Sequence, residues 1–331
     1  MTAAAASPVP ILQVDERVAT AVRTGLACRP KWIPAWLFYD RAGSRLFEAI
    51  TELDEYYLTR TERSILAQHC GEIVARAGER AVLRIAELGA GSAEKTRLLL
   101  RAAVRRQGSV LYEPIDVSSS ALTAAKRRIE REMNVVAVAP RVMDYTDGDA
   151  RRLHLAGKTP DEKRLVLYIG SSIGNFEPTE AEKLLHRVRA GLDSGDSMLL
   201  GVDLVKDEAM LVAAYDDAEG VTAAFNKNVL VRLNRELDAD FDVDTFAHRA
   251  VWNQADSRVE MHLVSAVPQQ VRLEALDMTV DFAAGESIHT ESSYKYRPGQ
   301  AEALLERTGF SPDATWTDAR GWFAVCLGRA R

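Results

Sequence analysis

The hydrophobic and polar positions change rhythm three times along the chain. Residues 12–28 and 44–76 repeat apolar positions at helical spacing. They are joined by the Trp- and Pro-rich stretch RPKWIPAWLFYD. From residue 82 short apolar runs alternate with amphipathic segments. AVLRIAEL, SVLYEPID, VVAVAPRVMD, RLVLYIGSS and SMLLGVDLV read as strands. AEKTRLLLRAAVRR, SSSALTAAKRRIEREM and a segment from about Pro178 read as the helices between them. Strands without polar alternation, separated by helices, indicate a parallel sheet covered on both faces.

The alternation then stops. Residues 207–238 read as helical, FAHRAVWNQADSRVEMHLVSA as two strands joined by a polar turn, and QVRLEALDMTVDF as a third. A helix near 298–309 and a closing strand pair in ATWTDARGWFAVCLGRA complete the pattern. We expect an α/β protein of two domains, consistent with a prior of roughly 150 residues each for a chain of 331. One comprises residues 61–205 and 295–331, the other an α+β unit of 11–60 and 206–294, with the active site between them.

Composition narrows the function. A net charge of −6 argues against a nucleic-acid surface, and no run of about 20 apolar residues suggests a membrane span. The three cysteines are widely separated and the six histidines occur singly, so neither a disulfide framework nor a metal site is expected. The Ala/Pro-rich first ten residues, expected to be loose, lack a basic leader with an apolar core. The expected setting is the cytoplasm, and nothing demands more than a monomer.

The candidate chemistry begins at LRIAELGAGSAEKT. Gly89 and Gly91 form a turn after a strand, but the third position of a dinucleotide fingerprint is Glu94, where a carboxylate would repel a pyrophosphate. Glu87, Asp116 and Asp144 fall at the ends of three successive strands, the edge where ligands bind. Such acceptors suit a ribose diol, an adenine amine and a positive sulfonium. These features point to S-adenosylmethionine and a class I (Rossmann-like) methyltransferase fold. A nicotinamide oxidoreductase is the weaker alternative, and a catalytically idle binding protein a third.

Four longer stretches go further: FYDRAGSRLFEAITELDEYYLTRTE, ELGAGSAEKT, IGSSIGNFEP and DLVKDEAMLVAAYDDAEGVTAAFNKNVL. From about residue 20 onward the chain closely resembles the histidine-specific N-alpha-methyltransferases that begin ergothioneine biosynthesis. The resemblance implies trimethylation of L-histidine to hercynine. It implies that Gly89 and Lys95 hold the methionine part of the cofactor, that Asp116 accepts the ribose hydroxyls, and that Asp144 and Tyr145 address adenine. For the substrate it implies Asn175 and Tyr215 at the carboxylate and Gly170 beside the amine. Glu291 and Ser293 would sense the imidazole, with Tyr56 and Met261. Tyr39 is the candidate for handling the amine proton, and Phe47 for facing the methylated ammonium. Another amino acid such as tryptophan is the alternative substrate, against which Glu291 and Met261 argue. Leu58 stands where relatives commonly carry proline, in a segment expected to be a loop.

Overall fold

A computed structural model describes residues 14–146, 159 and 161–331. The expectation of a loose start, residues 1–10, lies outside them. In chain order the elements begin with α1 (Glu16–Ala27), β1 (Lys31–Trp32), α2 (Arg41–Ile50), α3 (Tyr57–Gly78), β2 (Val82–Leu88), α4 (Thr96–Gln107) and β3 (Val110–Asp116). There follow α5 (Ser119–Glu132), β4 (Val136–Val138), β5 (Arg141–Val142), β6 (Glu162–Tyr168), α6 (Pro178–Ala190) and β7 (Ser197–Asp203). Then come α7 (Glu208–Ala213), α8 (Val221–Leu237), β8 (Phe246–Asn253), β9 (Arg258–Ser265), β10 (Gln269–Leu273) and β11 (Met278–Phe282). The last are β12 (Ser287–Tyr294), α9 (Gln300–Arg307), β13 (Phe310–Thr317) and β14 (Phe323–Ala330).

The contacts divide the chain into two compact units. One comprises Met1–Tyr56, Glu208–Asn253 and Val259–Ser292; the other comprises Tyr57–Asp207, Gln254–Arg258 and Ser293–Arg331.

The second unit is a doubly wound sheet in the order β13-β14-β7-β6-β2-β3-β4, with β5 continuing beside β3. The pairings among β2, β3, β4, β6 and β7 are parallel, and β14 is inserted antiparallel between β7 and β13. This is the class I methyltransferase arrangement. Strand alternation sorts the side chains into two cores. Leu83, Ile85, Leu165, Leu167 and Leu199 face α3, α4 and α5, through partners such as Ile65, Leu99 and Ile129. Ala86, Leu88, Val166, Leu200 and Val202 face α6 and α9, through Leu184, Leu185 and Leu305. Local signals start the helices: Ser118 caps α5 by accepting the Ala121 N–H at 3.2 Å, and Pro178 opens α6.

The other unit packs α1, α2, α7 and α8 with a sheet of order β1-β12-β9-β8 and a separate antiparallel pair, β10–β11. Asp40 caps α2 through the Gly43 N–H at 2.7 Å and also takes Asn228 of α8 at 3.0 Å. Asp217 opens α8 by accepting the Val221 and Thr222 N–H groups at 2.9 and 2.7 Å. These bonds outweigh the burial that would raise its carboxyl, and its pKa lies below the usual value.

Several expectations need correction. The helical pattern over 44–76 breaks at Thr51–Tyr56, between α2 and α3. VVAVAPRVMD forms two short strands, because Pro140 has no N–H to continue the ladder. QVRLEALDMTVDF is a hairpin, folded back by a 3₁₀ turn and by Asp277 at φ +46°. Helix α4 starts only at Thr96, so Lys95 is the residue just before it. Leu58 lies in the first turn of α3 rather than in a loop, and its side chain is buried. Proline fits a first helical turn equally well, so the exchange leaves the element intact.

Candidate active site

The carboxyl edge of the doubly wound sheet carries the expected cofactor residues. Strand β2 ends in a turn that needs positive φ at Gly89 (+66°) and Gly91 (+48°), which glycine supplies without strain. A Cβ at Gly89 would lie 2.9 Å from the Tyr145 hydroxyl, so the ring covers a turn that only glycine leaves open. The turn is tied to the next strand, since Asp116 accepts the Gly91 N–H at 3.0 Å and the Ser118 N–H at 2.9 Å. Each carboxylate oxygen thus has one backbone donor and retains capacity to accept a second. Glu94, which replaces the third glycine of a dinucleotide turn, is held by Arg97 at 2.9 Å and by Arg128.

Beside this turn lies a cavity of about 540 Å³ lined by Val117, Arg141, Val142, Met143 and Asp144. Asp144 is oriented by Thr146, which donates its N–H at 2.8 Å and its hydroxyl at 2.6 Å. Tyr145 stacks edge-on against Tyr168, with ring centroids 5.8 Å apart, and burial raises its phenol pKa. The edge therefore offers a carboxylate with spare acceptor capacity, a cavity lined by one acid, one base and apolar side chains, and a close backbone approach. An adenosine fits that donor and acceptor set.

Glu87 departs from expectation. It shares the face of Leu83 and Ile85, so its side chain turns into the core under α3 and α4 instead of toward the ligand edge. There it accepts the Thr96 hydroxyl at 2.7 and 2.8 Å and the Tyr112 hydroxyl. Desolvation pushes its carboxyl up to about 7.

The same unit holds Gly170, Asn175 and Ser293. Gly170 lies two residues beyond β6 at φ +86°, and a 3₁₀ turn from Ser172 leads to Asn175. Gly174 in that turn lies against strand β12: a Cβ there would fall 2.7 Å from the Tyr294 carbonyl oxygen. Glu177 secures the approach by pairing with Arg258 at 3.0 Å and accepting the Tyr294 hydroxyl at 2.6 Å. Ser293 is buried and accepts Lys295 Nζ at 2.8 Å. Lys295 in turn pairs with buried Asp203 at 3.0 Å, which also takes the Tyr57 hydroxyl at 2.7 Å and Lys206 at 2.5 Å.

The other unit gathers the aromatic candidates. Tyr39 lies 5.7 Å from Phe47, Phe47 lies 6.3 Å from Tyr56, and Tyr56 lies 6.4 Å from Tyr215, all edge-on. Phe225 of α8, absent from the expected site, completes the set at 5.8 Å from Tyr39 and 5.9 Å from Phe47. Tyr215 is fixed through its carbonyl, which accepts His248 Nε2–H at 2.8 Å; the other His248 nitrogen accepts the Asn226 amide at 2.8 Å. Burial lowers the His248 pKa, keeping this tautomer neutral. Met261, on β9, is buried, and its carbonyl accepts the Thr290 hydroxyl of the adjacent β12 at 3.0 Å. Glu291 is a strand residue of β12, and strand alternation sets it on the same side as Ser293. Among the described residues no group of three or more His, Cys, Asp or Glu could hold a metal, and no helix is long and apolar enough to cross a membrane.

The strand order, the open glycine turn and the acid at the end of the next strand define a methyltransferase that uses S-adenosylmethionine. The chain belongs to the histidine-specific, S-adenosylmethionine-dependent methyltransferase family, whose profile matches residues 18–330. It is 47% identical over 309 residues to the Histidine N-alpha-methyltransferase of Mycolicibacterium smegmatis, covering 92% of each chain. It is 44% identical to the enzyme of that name from Mycobacterium tuberculosis, again over 92% of each chain. Ergothioneine biosynthesis protein 1 of Neurospora crassa is 29% identical over 91% of this chain, which spans 34% of that longer protein. The nicotinamide reading is thereby replaced.

Proposed function

We propose that the protein methylates the α-amine of L-histidine three times, giving hercynine, as the first step of ergothioneine biosynthesis in the cytoplasm. The observation that carries this reading is the 47% identity, over nearly the whole of both chains, to a histidine N-alpha-methyltransferase. The site residues support it. Bound S-adenosylmethionine supplies a methyl group on a sulfonium, with a neutral thioether as leaving group. The chain's own task is therefore mainly alignment, which can account for much of the rate.

Asp116 would take the ribose hydroxyls, Asp144 and Tyr145 the adenine, and Gly89 with Lys95 the methionine end. Asn175 and Tyr215 would hold the histidine carboxylate as neutral donors. Glu291 would accept an imidazole N–H while the Ser293 hydroxyl meets the other ring nitrogen. Such a pocket disfavours a substrate lacking those nitrogens, because its own polar groups would go unpaired. The amine must shed a proton whose ordinary pKa is roughly 8 or above. Tyr39, partly exposed just after the 3₁₀ turn Ala35–Phe38, is the candidate to orient the lone pair or pass that proton to water. Phe47 and Phe225 would face the growing ammonium, where an aromatic surface contributes about 0.5–2 kcal/mol. Nothing in these roles requires a second copy of the chain.

The test is mass spectrometry of products after incubation with excess S-adenosylmethionine and all twenty amino acids. The expected result is a single modified amino acid, histidine, carrying three added methyl groups. A product limited to one methyl would refute trimethylation, and a modified tryptophan would refute the substrate assignment.

A further inference from the structure

Helix α3 carries a residue that the roles above leave unused. Glu62 is fully buried, yet it lies where three functional segments meet. Its carboxylate accepts the Gly170 N–H at 2.8 and 3.0 Å and forms an ion pair with Lys95. The surrounding chain makes room for it. Gly201, on the α3 side of β7, lacks a Cβ that would stand 2.2 Å from Glu62 Oε1. Gly170 lacks one that would stand 3.2 Å from Lys95 Nζ.

An apolar side chain of similar size would hold a helix to a sheet as well as a buried carboxylate does, without the loss of hydration. The partners of Glu62 suggest another use. A lysine ammonium ends a flexible four-carbon stem, and it places charge accurately only when something fixes it. A carboxylate rooted in a helix and locked to a strand-end N–H does that. The ammonium has three donors, so engaging Glu62 leaves two directed elsewhere.

We propose that Glu62 is a positioning residue: it fixes the Lys95 ammonium at the methionine end of the cofactor site and registers it against the Gly170 strand end. This rests on the assignment of Lys95 to the cofactor carboxylate. The Glu62→Gln variant keeps the shape and the acceptor for the Gly170 N–H, but removes the charge facing Lys95.

The experiment measures S-adenosylhomocysteine affinity by titration calorimetry and steady-state kinetics on the full chain. Glu62→Gln is expected to weaken S-adenosylhomocysteine and raise the KM for S-adenosylmethionine, each roughly tenfold, by returning freedom to one long side chain. The KM for histidine should stay within about twofold, a split that general loosening of the fold would not produce. Glu62→Asp, which keeps the charge one methylene further back, should give a smaller loss.

In a Lys95→Met background, Glu62→Gln should add nothing, because the group through which it acts is gone. Equal losses in both backgrounds, or full affinity in Glu62→Gln while Lys95→Met is weakened, would overturn the proposal and leave Lys95 in place. Full affinity in Lys95→Met would instead overturn the assignment of Lys95, and this proposal with it. Should Glu62→Gln fail to fold, the same cycle run with Glu62→Asp decides between these outcomes.

Discussion

Two acids at the ends of neighbouring strands show what a residue type reveals and what it leaves open. Glu87 and Asp116 both come at the end of an apolar run, and both were expected at the ligand edge. Asp116 is there, tied to the glycine turn through the Gly91 N–H. Glu87 is not, and the reason is parity: Leu83, Ile85 and Glu87 share one strand face, which α3 and α4 cover. Glu62 and Phe225 were harder to find, because each sits within a helical pattern where a single acid or aromatic has an ordinary place. The roles proposed for them depend on what the fold brings opposite them.

The environment of Glu87 has a measurable consequence. Its folded-state pKa of about 7 lies above the ordinary 4.5, so between these values the unfolded chain has lost a proton that the folded chain keeps. The associated stability is fully present below about pH 4.5 and is lost as pH rises through 7. Thermal unfolding at pH 5 and pH 8 checks this. Glu87→Gln should gain about 2–3 kcal/mol relative to the parent on going from the lower to the higher pH. An equal difference at both values would show that Glu87 ionises normally.

At the level of elements, the doubly wound sheet was legible because its strands are mostly apolar, lack regular polar alternation and are separated by amphipathic helices. The other unit was less so. Strand β12 was not read as a strand at all: Ser287–Tyr294 is rich in hydroxyls, and its burial arises from the strands beside it, not from its own composition. The β10–β11 hairpin read as one strand because its reversal uses Asp277 in a left-handed conformation, with neither Gly nor Pro to mark it.

Helix entry is where one atom matters most. Gly43 lies in the first turn of α2, where a Cβ would stand 1.7 Å from the Phe38 carbonyl oxygen. No side-chain movement relieves a clash with backbone, so Gly43→Ala should cost about 2–4 kcal/mol in urea unfolding. It should also lower turnover by displacing the 3₁₀ turn that ends at Tyr39. Gly71, exposed within α3, meets nothing within 4 Å. Gly71→Ala should therefore stabilise by about 0.5–1 kcal/mol, since alanine loses less backbone freedom in a helix. Equal effects of the two substitutions would contradict the close entry of α2.

Over the whole chain, the proposed roles fall on two compact units. The glycine turn, Asp116, Asp144 and Tyr145 belong to the doubly wound sheet, with Gly170, Asn175 and Ser293 in the same unit. Tyr39, Phe47, Tyr56, Tyr215, Met261 and Glu291 belong to the other. Each ligand should then leave its own footprint in backbone amide exchange, because binding suppresses the local openings through which amides exchange. S-adenosylhomocysteine alone should slow exchange at Gly89–Gly91, Ser118 and Thr146, where backbone N–H groups serve the turn, Asp116 and Asp144. Histidine should slow exchange around Tyr56, Tyr215 and Glu291, a unit that the first ligand leaves largely untouched. Hydrogen–deuterium exchange followed by mass spectrometry, with each ligand singly and then both, reads this directly. If histidine protected only the glycine turn, or S-adenosylhomocysteine only the aromatic set, the roles given to those two sets of residues would have to be exchanged.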